Sequence, residues 1–350
     1  MGSERTTLLK RTTQLSNLLL GLFLMLTIPL LFTPELAVEN HRLMPFIWNI
    51  GHILLFFALA WLTMNLLKLP DRVGFFSLLL LANLAILILG IGIEGIQSLQ
   101  ARQSSWEDVY KNCLGVSVAI MFHPKTPVVP GSLKRFLQIF LVVLLLTAFY
   151  PLAKNTIDWI YAHSSFPILA DFETPFEFER WSGDGLEIKK SEDGNHLLKK
   201  TFMTKGYSAI TFRHFPSNWE GYNCFKFDIQ NPGADNVLLR IRISDQQHNE
   251  TNRAFFDRFN HKLTIIPGPN TIQMPIEKLR QAPTKREMDI SKIAEIAIFT
   301  ANLAAPAELL FDNFRLTSEA AACDFSRDPD SWSTITSRLC QTGRLLPFAK

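Results

Sequence analysis

The chain has 350 residues, of which 47% are hydrophobic and 19% charged, and its formal net charge is +3. So small a net charge excludes the broad basic surface that nucleic-acid binding requires. The 28 Phe and 7 Trp exclude a disordered chain, and four cysteines in this length exclude a small disulfide-built fold. Residues 1–160 contain 12 Lys or Arg and 8 Asp or Glu, whereas residues 161–350 contain 23 and 24. This uneven distribution predicts two regions in different solvents.

Four long uncharged stretches in the first half predict membrane-spanning helices, since a helix needs about 20 mostly apolar residues to cross a bilayer. A shorter apolar segment, 112–124, has 13 residues and by length alone suits a re-entrant segment or a core helix. The four stretches lie between Arg11 and Glu35 (23 residues), Arg42 and Lys68 (25), Arg72 and Glu94 (21), and Arg135 and Lys154 (18).

The distribution of Lys and Arg favours five spans with the N-terminus in the cytoplasm. In that topology the cytoplasmic segments hold eight Lys or Arg, and the two short outer loops hold three, Arg42, Arg102 and Lys111. The short segment must then cross the membrane, and the C-terminal half lies outside the cytoplasm. A cleaved signal peptide is the rival interpretation of residues 1–34, but no small-x-small cleavage site follows the apolar run.

Nine short alternating or apolar runs after residue 162, separated by turn sequences such as NPG and EDGN, predict a two-sheet sandwich. The predicted fold class is therefore a membrane α-helical bundle of five transmembrane helices followed by an all-β jelly-roll domain. Cys323 and Cys340 are a candidate disulfide outside the membrane, with two free thiols as the alternative. The predicted segments are a cytoplasmic tail (1–13), a transmembrane bundle (14–123), a cytoplasmic loop (124–135), a fifth transmembrane helix (136–153), a linker (154–167), the sandwich (168–317) and an irregular tail (318–350).

Several polar side chains are predicted to lie at one depth near the outer ends of the spans. Ionisable groups in spans are costly, so such a set indicates either an interhelical ion network or a polar pocket facing lipid headgroups. In the pocket interpretation, Arg102 binds phosphate and His52 or Glu94 acts as acid or base. The set comprises His52, Glu94, Gln97, Arg102, Ser105, Asp108 and Asn112.

These residues, in the sequences NIGHILLFF, GIEGIQ and ARQSSWEDVYKNCLG, resemble the signature of VanZ-like membrane domains over about residues 15–123. The resemblance implies a bacterial protein of the inner (cytoplasmic) membrane, and a glycopeptide-resistance-type factor is a weaker alternative. The family pattern usually has a further ionisable position just before the histidine, where this chain has Asn49, Ile50 and Gly51.

The predicted strands, which open with LADFE and end with LLFDNFRL, resemble the galactose-binding-like jelly rolls of carbohydrate-binding modules over about residues 168–317. The resemblance implies a structural Ca²⁺ between the first and last strands, with Asp171, Glu173 and Asp312 as ligands. The alternative is a set of acidic strand ends exposed to water.

Strand alternation predicts a polar row on one face of neighbouring strands, beside an aromatic platform suited to a sugar. The alternative is a solvated sheet face with tryptophans in the core. No nucleophile elbow, P-loop, HExxH or CxxC motif occurs, so a soluble hydrolase is not expected. The candidate glycan face consists of Trp181, Arg213, Trp219, Tyr222, Asp228, Arg240 and Arg242, with Lys226 on the same predicted row.

The sequence therefore predicts an accessory or binding protein for envelope polysaccharide, with membrane lipid or lipid-linked glycan as the second partner. An integral-membrane enzyme acting on a lipid-linked sugar or phosphate headgroup is the alternative. A transporter is less favoured because no inverted repeat or broken helix is evident. Apart from the Ca²⁺, no cofactor is predicted.

Overall fold

The structure is a computed structural model, and it divides into two compact units, Met1–Thr156 and Ile157–Lys350. Side chains are described from residue 14 onward and, in the third helix, up to residue 92. The described parts of the chain are residues 2–29, 42–67, 73–98, 106–204, 206–251, 253–301, 303–319 and 323.

The first unit is helical. Three helical segments are long and apolar enough to cross a membrane: Met44–Leu66, Phe75–Gly92 and Gly131–Ser164. The predicted count of five spans is not confirmed by this criterion, because the apolar segment Gln14–Thr27 and the fourth helix are shorter. The helices are α1 (Gly2–Thr27), α2 (Met44–Leu66), α3 (Phe75–Ser98), α4 (Trp106–Phe122) and α5 (Gly131–Ser164).

Helix α4 packs against α2 and α3 and buries an entire face, including Val116, Ala119 and Ile120. A Cβ atom at Gly115 would overlap the Ile53 carbonyl oxygen of α2, so only glycine permits this approach. Small residues at helix interfaces allow backbones to come this close. The close crossing brings the polar residues of α2 and α4 together.

Helix α5 continues through most of the segment predicted as a linker. Lys154 ends the uncharged run, but the helix extends to Ser164 with a changed pattern of burial. Within the second unit, the Asp158 carboxylate at its end is 1% exposed and accepts hydrogen bonds from the Arg180 side chain, at 2.6 Å from Nη2 and 3.0 Å from Nε. The helix therefore occupies most of the predicted linker, because a charge that ends a membrane span need not end a helix.

The second unit is an antiparallel β-sandwich. One sheet has six strands in the order β3-β4-β11-β6-β9, with β1 paired to β11, and the other has five in the order β2-β5-β10-β7-β8. Two short helices, α6 (Gln246–Glu250) and α7 (Ile276–Arg280), follow β7 and β9. The strands are β1 (Ile168–Ala170), β2 (Trp181–Ser182), β3 (Leu186–Lys190), β4 (His196–Phe202), β5 (Tyr207–Phe212), β6 (Cys224–Asn231), β7 (Val237–Asp245), β8 (Phe259–Ile265), β9 (Gly268–Pro275), β10 (Ile293–Ala301) and β11 (Ala307–Thr317).

The core lies between the two sheets, and the predicted alternation is confirmed. Every second residue of the central strands points inward, as expected for a period of two. The predicted inward residues are all 0–1% exposed: Ile210, Phe212, Phe225, Phe227, Ile229, Leu239, Ile241 and Ile243.

The disulfide joins Cys224 to Cys323, with the two Cα atoms 5.7 Å apart, so the predicted pairing of Cys323 with Cys340 was wrong. The reason lies in the topology. Strands β6 and β11 are antiparallel neighbours, and Thr317 at the end of β11 lies opposite Cys224. The chain leaving β11 therefore passes Cys224, which sequence spacing alone does not reveal. Cys340 lies outside the described residues.

Candidate functional site

The outer face of the five-stranded sheet, called here the arginine face, combines an exposed tyrosine and a half-buried phenylalanine with charged side chains. Tyr207 on β5 lies opposite Ala301, and Phe299 on β10 lies between Ala209 and Arg240 in register. The Tyr207 and Phe299 rings are 4.9 Å apart at an interplanar angle of 38°. Tyr207 is 59% exposed, which is a large apolar surface to leave in water beside a second ring.

A buried carboxylate lies on the same face. Glu295 on β10 accepts hydrogen bonds on Oε2 from Arg213 Nε at 2.8 Å and Nη2 at 2.5 Å, and its Oε1 accepts one from Arg242 Nη2. Burial raises the pKa of Glu295, but the hydrogen bonds and charges of the two arginines outweigh it and hold the pKa below the usual value. Glu295 is therefore ionised at neutral pH and fixes both guanidinium groups in place.

A third arginine extends this cluster. Arg258, directly before β8, is half-buried, donates from Nε to Asn260 Oδ1 at 3.2 Å, and lies 5.5 Å from the centre of the Phe255 ring. Burial lowers the pKa of Arg258, and the positive charge of Arg242 lowers it further. The charges of Arg242, Arg258 and Glu295 also act on the Tyr207 hydroxyl, whose pKa burial raises. The aromatic pair and the charged cluster are thus one continuous site.

The predicted aromatic platform was wrong for both tryptophans. Trp181 is 6% exposed and stacks on Phe212 at 4.3 Å, while Trp219 is fully buried and donates from Nε1 to the Pro216 carbonyl oxygen at 3.2 Å. Both lie in the core because their rings fill space between the sheets. Tyr222 is partly buried and meets Phe166 edge to face at 5.3 Å, so it also belongs to the core margin.

The predicted polar row is divided between two opposite faces. Arg240 and Arg242 on β7, with Arg213 directly after β5, belong to the arginine face. Lys226 and Asp228 lie on β6, in the middle of the six-stranded sheet, and face the other side of the sandwich. The prediction was wrong because β6 and β7, although consecutive in sequence, lie in different sheets.

The three predicted calcium ligands do not form one ligand set. Glu173 accepts hydrogen bonds from the backbone and the ring of His196, at 2.8 Å and 3.0 Å. Asp312 accepts one from Asn195 Nδ2 at 2.9 Å, and burial together with the charges of Asp171 and Asp228 raises its pKa. No group of three or more His, Cys, Asp or Glu in the described part of the chain is arranged to hold a metal. Calcium remains a prediction from the sequence resemblance.

In the helical unit, the structure brings together His52, Asn112 and Asp108. His52 is 3% exposed, and its Nδ1 lies 3.0 Å from Asn112 Oδ1, within hydrogen-bond distance. Its Nε2 lies 3.9 Å from Asp108 Oδ2 and has no hydrogen-bond partner among the described residues. A buried ring nitrogen without a hydrogen bond is unusual in a folded protein. Of the other predicted pocket residues, the side chains of Glu94, Gln97, Arg102 and Ser105 lie outside the described residues.

Lys111 was missed as a member of this cluster because it was counted with the outer loop. It lies in the second turn of α4, with its amine 3.1 Å from Glu107 and 3.9 Å from Asp108. Its spacing of three from Asp108 is the sequence signal that could have revealed it.

A second buried histidine at the far end of α4 shows what a fully bonded ring looks like. His123 Nε2 donates to Asn65 Oδ1 at 3.0 Å, and its Nδ1 accepts from the Lys125 backbone nitrogen at 3.1 Å. Both nitrogens are satisfied, as is usual for buried polar groups. The His52 ring differs, because its Nε2 has no hydrogen-bond partner among the described residues.

No family model matches the chain, and no curated protein matches it. The VanZ-like resemblance therefore stays a prediction.

Solved structures similar to the C-terminal part include carbohydrate-binding modules. A family 11 carbohydrate-binding module from Clostridium thermocellum, in complex with a β-1,3-1,4-mixed-linked tetrasaccharide, is 18% identical with a TM-score of 0.35, and the match covers 43% of this chain and 94% of that one. A family 28 module specific for non-crystalline cellulose is 13% identical, with a TM-score of 0.33 and coverages of 44% and 95%. An agarase is 19% identical, with a TM-score of 0.34 and coverages of 43% and 24%. Similarity at this level does not assign a ligand, so what the arginine face binds is argued from its own geometry.

Proposed function

We propose that the protein is a membrane-anchored glycan-binding protein of the bacterial cell envelope, and that the arginine face binds the sugar. The observation that carries the proposal is the pair of exposed Tyr207 and half-buried Phe299 beside the Glu295 cluster. Binding sites commonly combine an aromatic surface with a few convergent polar groups that fix the orientation of the ligand. The arginine face has both on one sheet.

The two components of the face have separate roles. The Tyr207 and Phe299 rings offer an apolar surface on which the C–H face of a pyranose ring packs, while the Tyr207 hydroxyl keeps a polar edge. Arg213 and Arg242, held in place by Glu295, supply hydrogen-bond donors for the hydroxyl groups. These three side chains are already held by one another, so little conformational entropy is lost when a ligand binds.

The proposed location is the inner membrane, with the N-terminus in the cytoplasm, five spans, and the sandwich outside. The Cys224–Cys323 disulfide supports this location, since disulfides persist in oxidising compartments. The distribution of Lys and Arg supports the orientation. A reporter that is active only outside the cytoplasm should be active when fused after Thr156 and silent when fused after Lys125. Activity at both positions would contradict the five-span topology.

The binding proposal is tested with the full chain in detergent against a panel of neutral and acidic polysaccharides, by isothermal titration calorimetry. Tyr207→Ala should weaken binding at least about tenfold, equivalent to about 1.4 kcal/mol, because truncating an aromatic anchor removes the stacking surface. Tyr207→Phe is the matched control and should stay within about threefold, since the ring is retained. The proposal fails if no polysaccharide binds, or if Tyr207→Ala binds as tightly as the unmodified chain.

A second candidate function, an integral-membrane enzyme acting on a lipid-linked sugar or phosphate headgroup, is favoured by the buried Nε2 of His52. This atom has no hydrogen-bond partner among the described residues and lies 3.9 Å from Asp108 Oδ2, so it is the group that would accept a substrate proton as a general base. A mainly apolar groove of about 240 Å³ between α3, α4 and α5, lined by Leu79, Leu137 and Leu141 among others, suits a lipid chain.

The two buried histidines provide a matched pair for testing this candidate. His52→Gln should give folded protein that loses turnover of a lipid-linked sugar phosphate, because His52 Nε2 makes no described hydrogen bond that holds the fold. His123→Gln should instead lower the yield of folded protein, because both ring nitrogens of His123 are bonded. Absence of turnover in the unmodified chain, or equal loss of folded protein in both variants, would remove the enzymatic candidate.

A further inference from the structure

The charges of the arginine face indicate the chemical class of the glycan, and the inference rests on the proposed function. Four arginines project from this face or directly adjoin its strands. Among the described residues, Glu295 is the one carboxylate that bonds any of them, since Asp245 and Asp257 at the strand ends are bonded to Arg286. The four arginines are Arg213, Arg240, Arg242 and Arg258.

Both oxygens of the Glu295 carboxylate are already bonded to arginines. Oε2 of Glu295 accepts both hydrogen bonds from Arg213, and Oε1 accepts the bond from Arg242 Nη2. Glu295 is 6% exposed, so water has little access to its oxygens. It therefore neutralises at most one of the two guanidinium groups that hold it.

Arg258 has no carboxylate within ion-pair distance in the described part of the chain. Its side chain is nevertheless held, by Asn260 Oδ1 and by the Phe255 ring, which the guanidinium carbon overlies at 5.5 Å from the ring centre. Half-burial and the positive charge of Arg242 lower the pKa of Arg258, and the charge of Glu295 opposes them only in part. A held guanidinium without a bonded carboxylate is ready to receive an anion, since little entropy remains to be lost.

We infer that the bound glycan is acidic, and that Arg258 and Arg242 receive its carboxylate or phosphate group beside the Tyr207 ring. A planar guanidinium binds a carboxylate or phosphate oxygen pair through two parallel hydrogen bonds, which gives orientation as well as affinity. The sugar ring then packs on Tyr207 and Phe299, and the acidic substituent reaches the arginines. A polysaccharide of uronic acids is the ligand class that combines both features at every residue.

The test compares five polymers on the full chain in detergent: polygalacturonate, its fully methyl-esterified form, a neutral mixed-linkage β-glucan, a phosphate-bearing teichoic acid and inorganic polyphosphate. Polygalacturonate should bind at least about tenfold more tightly than its uncharged ester, and the difference should shrink as salt is raised. Arg258→Gln should abolish most of this difference. Lys189→Gln, an equal loss of charge on exposed β3 of the other sheet, should leave it within about twofold.

The outcomes separate the inference from the proposed function. Tyr207-dependent binding of the neutral glucan, equal to or tighter than that of either acidic polymer, would overturn the acidic ligand and keep a glycan site. Binding of teichoic acid but not polygalacturonate, lost in Arg258→Gln, would support an acidic group that is a phosphate. Equal binding of the acidic polymers and inorganic polyphosphate, unchanged in Tyr207→Ala, would overturn both the acidic ligand and the proposed glycan-binding function. Absence of any binding would overturn both as well.

Discussion

The two outer faces of the sandwich differ in how their charges are balanced. On the six-stranded sheet, ion pairs run from strand to strand: Lys199 bonds Glu187 at 3.3 Å and Glu308 at 3.2 Å, and Arg315 bonds Asp228 at 3.2 Å. On the arginine face, one carboxylate bonds two of the four arginines, Arg213 and Arg242. The ion pairs on the six-stranded sheet are typical of a solvated surface, and exposed ion pairs contribute little to stability.

The difference teaches that the surplus of arginines on this face is not required by folding. Both sheets place fully buried apolar residues on their inner sides, so neither outer face contributes to the core. A surplus of like charge beside the exposed Tyr207 ring costs stability without improving packing. Features that are locally unfavourable are expected where a protein binds something. The paired face therefore serves as the internal control for the unpaired one.

The largest effect on stability is expected on the six-stranded side, where the disulfide closes a segment of 99 residues. The double variant Cys224→Ser/Cys323→Ser should lower the free energy of unfolding of the sandwich by about 2–4 kcal/mol, because the unfolded chain regains the freedom of a long loop. Pulse proteolysis of the full chain measures this. Cys113→Ser, in the helical unit, is the control and should leave sandwich unfolding unchanged. Peptide mapping without reductant should recover Cys224 linked to Cys323, and a Cys323–Cys340 peptide would contradict the structure.

A smaller loss is expected from Glu295→Gln on the arginine face. Removing the charge leaves Arg213 and Arg242 without a counter-ion and weakens three hydrogen bonds, at a cost on the order of 2 kcal/mol because both arginines still reach water. The melting temperature of the variant reports the loss. Glu308→Gln, which removes a paired acid of the opposite face, should lower the free energy of unfolding by less than about 0.5 kcal/mol. Equal shifts in the two variants would mean that the two faces do not differ as described.

The smallest expected effect concerns the pH dependence of stability, to which Glu295 and Asp312 contribute with opposite signs. Glu295 has a pKa below its usual value, so it stabilises the fold above about pH 4 and this contribution is lost as the pH falls through the folded-state pKa. Asp312 has a raised pKa, first from burial and then from Asp171 and Asp228, so its ionised form costs stability above that pKa. Asp312→Asn should therefore raise the free energy of unfolding at pH 7 by less than about 1 kcal/mol, which is measured as a higher melting temperature. The gain should vanish near pH 3. A loss of stability at pH 7 would contradict this assignment.

The sequence was sufficient for the inward residues of each strand, because alternation has a fixed period whatever the neighbouring strand is. It was insufficient for the composition of each face. Asp228 and Arg242 are only 14 positions apart, yet they lie in different sheets, and only the strand order separates them. Strand alternation also could not predict the burial of Trp181 and Trp219, because both lie next to turns, where alternation does not apply.

The helical half shows the same division between local and non-local information. Uncharged runs predicted the long apolar helices, since crossing a bilayer is a requirement on length and composition. The shared level of His52, Asp108 and Asn112 followed from helix periodicity, and the structure brings these three together. That α5 continues beyond Lys154 could not be predicted from the charge, because the contacts that bury Asp158 and Ala162 are made by a distant part of the chain.

Hydroxyl-radical footprinting of the full chain, with and without a bound polysaccharide, tests most directly whether the arginine face is the binding surface. Tyr207, exposed on the arginine face, and Leu197, partly exposed on the outer side of β4 in the six-stranded sheet, provide one reporter for each side of the sandwich. Binding to the arginine face predicts strong protection of Tyr207 and Phe299 and unchanged oxidation of Leu197. Protection of Leu197 with Tyr207 still fully reactive would contradict the account.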